Sequence, residues 1–168
     1  RPRDFRVDRI STADSTREVA RLRVDLVAPT WDVSVFYELR QQDHFYHKWL
    51  TLTAKRQAAA QVLDVTVSAL RLPRPVDLAA GENQELTYPI TVLDRGGFFS
   101  CLETVYWDHA GDELTYYPGA TLKPGELFTS EKAAVGVFKK RGAYWAGVDR
   151  GVRERVIEYH AQVAPIPA

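Results

Sequence analysis

Three groups of side chains in this sequence are of the types that act on sugars or hold metals. The first is acidic: Asp108, Asp112 and Glu113 gather around the stretch Asp108-His-Ala-Gly-Asp112. Two carboxyls about 5–9 Å apart across a glycosidic bond can serve as acid and base or nucleophile. Asp and Gly are also standard turn residues, and turn chemistry is the stronger reading. The second group is the histidines. His44 and His47 flank Phe45-Tyr46, and residues three apart on a strand face opposite sides, so the two do not share a ligand. His109 follows Asp108, and His160 sits beside Tyr159 in the final segment, where it reads as a packing residue. No HExxH, CxxC, phosphate-binding Gly loop or GxSxG elbow is present. No metal site and no cofactor are expected, and no residue qualifies as catalytic.

The third group is aromatic. Trp31, Trp49, Trp107 and Trp145 accompany eight Tyr and seven Phe. Such rings fill β-sandwich cores, and their faces also suit apolar surfaces of ligands. Trp49 reads as core. Trp107, just before Asp108-His109, and the pair Tyr144-Trp145 fall at strand ends or loops and are expected to be exposed. Trp107, Asp108, His109, Tyr144 and Trp145 are therefore the candidate ligand-binding residues. Cys101, the only cysteine, lies in the apolar run FFSCLETV and reads as a small buried hydrophobe.

The elements that must position these residues are mostly strands. Val33–Leu39, Phe45–Thr53 and Val62–Leu72 read as a meander at the centre of the chain. In the first run Val33, Val35, Tyr37 and Leu39 share one face, while Ser34 and Glu38 take the other with Phe36 between them. Further strands are expected at Phe5–Ile10, Val19–Leu26, Leu86–Leu93, Phe98–Trp107, Glu113–Tyr117 and Lys132–Lys139. Pro89 puts its strand at an edge or a bulge, and the apolar residues on both faces of Phe98–Trp107 place that run centrally. Asp94–Gly97, Asp108–Asp112, Pro118-Gly119 and Lys123–Gly125 read as turns. After Gly142 the period changes: Val148, Val152, Val156, Tyr159 and Val163 form a helical stripe, widened by Ile157 and stopped by Pro165. So short a helix needs packing. The stripe is expected to be partly exposed or engaged with a neighbouring molecule.

The expected class is all-β, an antiparallel two-sheet sandwich with one C-terminal α-helix. Residues 1–145 read as the sandwich, and residues 146–168 as the helix and a linker toward a further domain. The chain has 168 residues, enough to bury roughly 70% of its unfolded surface. Twenty-two basic residues balance twenty-two acidic ones, which argues against nucleic acid as a partner. The run Lys139-Lys-Arg141 is too short for a polyanion site. No apolar stretch reaches ~18 residues, so no membrane span is expected, and no signal peptide is recognised. Neither reading fixes a cellular compartment.

Two stretches carry a resemblance. The meander, with Tyr37-Glu38, Lys48-Trp49 and Ser68-Ala-Leu-Arg-Leu72, resembles that of the N-terminal domain of melibiase-type, glycoside hydrolase family 36-like α-galactosidases. Leu122–Phe138, with Pro124-Gly-Glu126, and the later Tyr159-His160 resemble the close of the same domain. The resemblance implies a galactose-mutarotase-like supersandwich preceding a (β/α)8 barrel that holds the catalytic carboxylates, none of which maps onto this chain. The leading expectation is a non-catalytic β-sandwich accessory domain of a carbohydrate-active enzyme. It would pack on a catalytic barrel of the same parent chain and contact carbohydrate, with self-association as a further expectation. The alternatives are a free-standing carbohydrate-binding module and a protein-interaction domain unrelated to sugars. An aldose epimerase-like activity would need a His acid and a Glu base, for which His47 and Glu103 are the nominees.

Overall fold

The structure, a computed structural model, describes residues 5–12, 14–55, 59–69, 90–93, 95–104, 107–110, 113–142 and 150–163. Alternation of apolar and polar residues builds a large antiparallel sheet from the first half of the chain. It comprises β1 (Arg6–Thr12), β2 (Val19–Val27), β3 (Trp31–Arg40) and β4 (Phe45–Ala54), each hydrogen-bonded to the next. The chain then leaves the sheet for β5 (Ala60–Val62) and β6 (Val65–Ala69). It returns through β7 (Ile90–Val92) and β8 (Gly96–Leu102), leaves again for β9 (Asp108–Ala110), β10 (Glu113–Tyr116) and β11 (Ala120–Leu122), and closes with β12 (Leu127–Thr129), β13 (Ala133–Lys139) and α1 (Arg150–Val163). The large sheet has the order β1-β2-β3-β4-β13-β8-β7, with β12 also paired to β4. Two small sheets, β6-β10-β9 and β11-β5, complete the sandwich. All pairings are antiparallel among the described residues, so the mainly β class with a C-terminal helix stands.

Several boundaries differ from the sequence reading for local reasons. The third run of the meander does not continue the large sheet. Its first residue, Val62, ends β5, which pairs with β11, and Val65–Ala69 forms β6, which pairs with β10 in another small sheet, while residues 70–72 lie outside the described residues. The stretch read as the turn 108–112 instead begins as a strand, with Asp108 opposite Thr115 and Ala110 opposite Glu113. β8 stops at Leu102, before Glu103, and is flanked on both sides by β13 and β7. β7, just after Pro89, is an edge strand of the large sheet. The strands β11 and β12 are only three residues long, too short for alternation to reveal.

The pleat gives the large sheet two distinct faces. On one, Leu50, Leu52, Ala54, Ala133 and Leu102 meet Val62, Val65, Val67, Leu114, Tyr116 and Leu122 of the small sheets. On the other, Phe45, Phe99, Cys101, Ala134 and Phe138 meet Val152, Val156 and Tyr159 of α1. The helix therefore docks on its own sheet. Its stripe is sealed at those three residues, while Val163 is 38% and Ile157 49% exposed. Burying three such side chains supplies about 1.5–3 kcal/mol each, which holds a helix of 14 residues that would fray in isolation. Gly136 makes this packing possible: opposite Phe99 it has no Cβ, and one built there would lie inside the Phe99 ring.

β12 and β13 run along the same side of β4 as one strand interrupted at Ser130–Lys132. Ser130 replaces the lost ladder partners: its amide donates to the Leu50 carbonyl (2.9 Å), and its hydroxyl accepts from the Leu50 amide (3.0 Å). The Glu131 amide donates to the Tyr116 hydroxyl at 3.0 Å, tying the interruption to the small sheet.

Candidate functional site

The sequence candidates on the described residues lie where β9 begins. Trp107 is half-buried and packs against both apolar clusters, rather than standing out in solvent as an exposed aromatic would. Asp108 is exposed, and its carboxylate accepts a hydrogen bond from Tyr117, a ring 61% exposed. That bond and the neighbouring negative charge hold the Tyr117 phenol above its ordinary pKa. On the same outer surface, the hydroxyls of Thr66 and Thr115 bond at 2.9 Å. His109 is on β9 opposite Leu114. Tyr144, Trp145, Asp112 and Val148 lie outside the described residues. The structure thus brings Asp108 together with Tyr117, a ring that sequence reasoning passed over because it sat at the end of an expected strand. An exposed ring beside a carboxylate and hydroxyls offers a surface for C–H stacking and acceptors for sugar hydroxyls.

A second polar group lies under the end of α1. His47 of β4 and Glu103 are held at 2.8 Å, Nε2 to Oε1, and the Tyr159 hydroxyl donates to the same Glu103 oxygen at 3.3 Å. His47 is buried, and its ring meets Phe45 edge-on. The two residues nominated as an epimerase acid and base are therefore brought together, but each is engaged with the other beneath Tyr159. Acid and base in that chemistry must each reach substrate; here the pair anchors the helix. His44, on the turn before β4, pairs separately with Glu158 of α1 at 3.2 Å. His44 lies on the turn rather than on the strand, so both histidines reach toward α1 instead of facing opposite sides, and each takes a different carboxylate. Among the described residues no three His, Cys, Asp or Glu side chains are grouped to hold a metal ion. Cys101 is fully buried below Tyr159. Burial pushes its thiol up to about 12, so it carries no reactive thiolate at neutral pH.

Trp49 is not core. It is half-buried on the helix-bearing face of the large sheet, stacked on Phe36 of β3 with ring centroids 5.2 Å apart and planes 8° from parallel. Arg23 lies over Phe36 (5.6 Å), and Lys132 (5.3 Å) and Arg21 (6.0 Å) lie over Trp49. Next to this row Glu38 is buried between Arg21 and Arg40, with Arg21 Nε donating at 3.0 Å. Burial opposes ionisation of Glu38, but the Arg21 hydrogen bond and the surrounding cations outweigh it and hold the carboxyl below the usual range. A shallow depression between Arg6, Val27, Ala28, Pro29 and Lys55 contains none of the expected site residues.

Comparison with solved structures places this architecture. The chain superposes on the α-galactosidase AgaA of Geobacillus stearothermophilus, a GH36 enzyme, with a TM-score of 0.54 and 14% identity, over 94% of this chain and 30% of that one. The fold is that of one part of a GH36 α-galactosidase. AgaB of the same organism gives a TM-score of 0.54 at 12% identity, over 95% of this chain and 30% of its own. An AgaA variant solved with raffinose gives 0.50 at 13% identity, over 95% of this chain and 29% of its own. The chain thus spans less than a third of the enzymes it matches, a share consistent with their N-terminal domain. No family model and no curated protein matches the sequence. No helix among the described residues is long and apolar enough to cross a membrane.

Proposed function

We propose that this chain is a non-catalytic β-sandwich accessory domain of a carbohydrate-active enzyme, packed on a catalytic barrel of the same parent chain. Residues 1–145 form the sandwich, and residues 146–168 carry the helix and lead toward the catalytic domain. The observation that supports this reading is the fold match, nearly complete for this chain and under a third for the α-galactosidases. Trp107, Asp108, His109, Tyr144 and Trp145 are the residues through which the domain touches sugar, with Tyr117 added by its bond to Asp108. Since raffinose is bound by one of the similar enzymes, α-galactosides are the sugars to try first.

Two measurements test the reading. The chain alone should release no aryl product from aryl α-galactosides, and turnover abolished by a single substitution would overturn the non-catalytic role. Titration with raffinose, followed by tryptophan fluorescence, should give weak binding that Asp108→Asn and Tyr117→Ala diminish. Binding indifferent to both would remove sugar contact at β9 and favour the interaction-domain alternative. A native reading frame that continues past Ala168 into a barrel-sized region supports the packing on a catalytic domain, and one that stops there overturns it.

A further inference from the structure

The helix-bearing face of the large sheet carries a row of side chains that the proposed role leaves unused. Arg23 of β2 is opposite Phe36 of β3, and Phe36 is opposite Trp49 of β4. Lys132, one residue before the Ala133–Lys48 pair, comes beside Trp49. Four adjacent positions across the sheet thus read cation, aromatic, aromatic, cation, over roughly 14 Å at the usual strand spacing. More cations surround the row. Arg21 and Arg40 share Glu38, while Arg9, opposite Asp25, joins Arg23 around that carboxylate. The next carboxylates on this face, Asp32 and Glu103, are held by Lys55 and His47. Among the described residues, the cross-strand register thus sets Arg9, Arg21, Arg23, Arg40 and Lys132 around two carboxylates, Asp25 and Glu38, while Glu154 and Glu158 of α1 are held by Arg141, Arg155 and His44, in a chain whose total charge is balanced.

We infer that this row is a binding surface for an acidic saccharide, a chain bearing carboxylates or sulfates at regular intervals. The geometry argues against a neutral sugar. Each ring face is already covered, Phe36 by Trp49 and Arg23, and Trp49 by Phe36 and Lys132. What these half-buried rings still offer is their edges, the positive part of the aromatic quadrupole, which adds to the field of the cations. Charge complementarity then selects an anion. A folded acidic protein fits less well, because protein interfaces centre on free aromatic anchors seated in desolvated pockets. Here the aromatics are engaged with one another on an open sheet. Cross-strand register and the Ser130 interruption fix the positions of the row before any ligand arrives, so little ordering is required on binding. This inference is independent of the accessory-domain reading, which concerns other residues.

The test is calorimetric titration of the full 168-residue chain with oligogalacturonate at low and high salt. A neutral galacto-oligosaccharide and oligoglutamate are run in parallel. The expected result is binding of oligogalacturonate that salt weakens. The double variant Arg23→Gln with Lys132→Gln should weaken it by at least about fivefold at an unchanged melting temperature. Lys139→Gln, on the opposite face of the sheet, should leave it unaltered, and the accompanying fluorescence change should vanish in Trp49→Phe. No binding of oligogalacturonate overturns the inference, as does equal binding of the neutral sugar or indifference to the double variant. Equal binding of oligoglutamate overturns the choice of a saccharide and points to an acidic protein partner.

Discussion

At the residue scale, Gly136 and Phe99 form a closely complementary pair in the core, with Phe99 fully buried. Gly136→Ala must displace the Phe99 ring into Cys101, Tyr159 and Val156, and should cost about 1–3 kcal/mol by urea unfolding. Glu38 sets a different dependence. Its folded pKa is lowered, so the stability it adds is fully present above the unfolded value of about 4.3 and is lost as pH falls through the folded value. Glu38→Gln should be less stable than the parent at neutral pH, leaving Arg21 and Arg40 without their shared carboxylate. Its unfolding free energy should converge with that of the parent below pH 4. Denaturant titrations across pH check this, and a constant difference at every pH would count against the ion pairs. Part of this was legible in the sequence. The alternation around Glu38 put Ser34, Phe36 and Glu38 on one face, and the register agrees. Trp49 misled because size suggested core, whereas its environment is made by Arg21 and Lys132, distant in sequence and brought beside it by strand pairing.

At the element scale, α1 shows what periodicity can reveal. The stripe Val152, Val156, Tyr159 was visible as spacing, but its partner surface was not, because it is assembled from β4, β8 and β13. The same limit applies to β5, which lies almost wholly in the link before the expected third run, to β6, which leaves the large sheet, and to β9, hidden in turn-like residues. Val156→Ala removes two methyl groups from a fully buried site and should destabilise by about 1–2 kcal/mol. Hydrogen exchange over 150–163 should rise more than exchange in β3 and β4, because the helix contributes little stability by itself. Tyr159→Phe keeps the packing and deletes the bond to Glu103, so its cost should be nearer 0.5–1.5 kcal/mol. If Tyr159→Phe proves as damaging as Val156→Ala, the polar node rather than the apolar stripe anchors the helix.

At the scale of the whole molecule, the sandwich is unevenly covered. The small sheets and α1 enclose β4, β13 and β8, while the outer strands present apolar side chains to solvent. Val7, Ile10, Leu22 and Leu39 are 38–64% exposed, and register places them on the face of the large sheet that carries Val33 and Val35. Exposed apolar surface of this kind drives association. Sedimentation across a concentration range should show the average mass rising, and Leu22→Lys with Leu39→Lys should suppress the rise without lowering the melting temperature. A mass independent of concentration would show that the patch is too dispersed to act. The domain class was readable from short strands and turns, and the likeness of the fold to one part of a GH36 α-galactosidase from the meander's resemblance. The uneven cover was not, since exposure depends on which strands receive a second layer.

The lone thiol beneath α1 makes the chain its own stopwatch. Cys101 is sealed by the helix and, with a pKa of about 12, almost wholly protonated, so a disulfide reagent can reach it only during excursions that lift Tyr159 away. With reagent in enough excess that the opened thiol reacts before the helix recloses, the labelling half-life times those excursions. No engineered probe is needed, because the sequence contains no second cysteine to blur the trace.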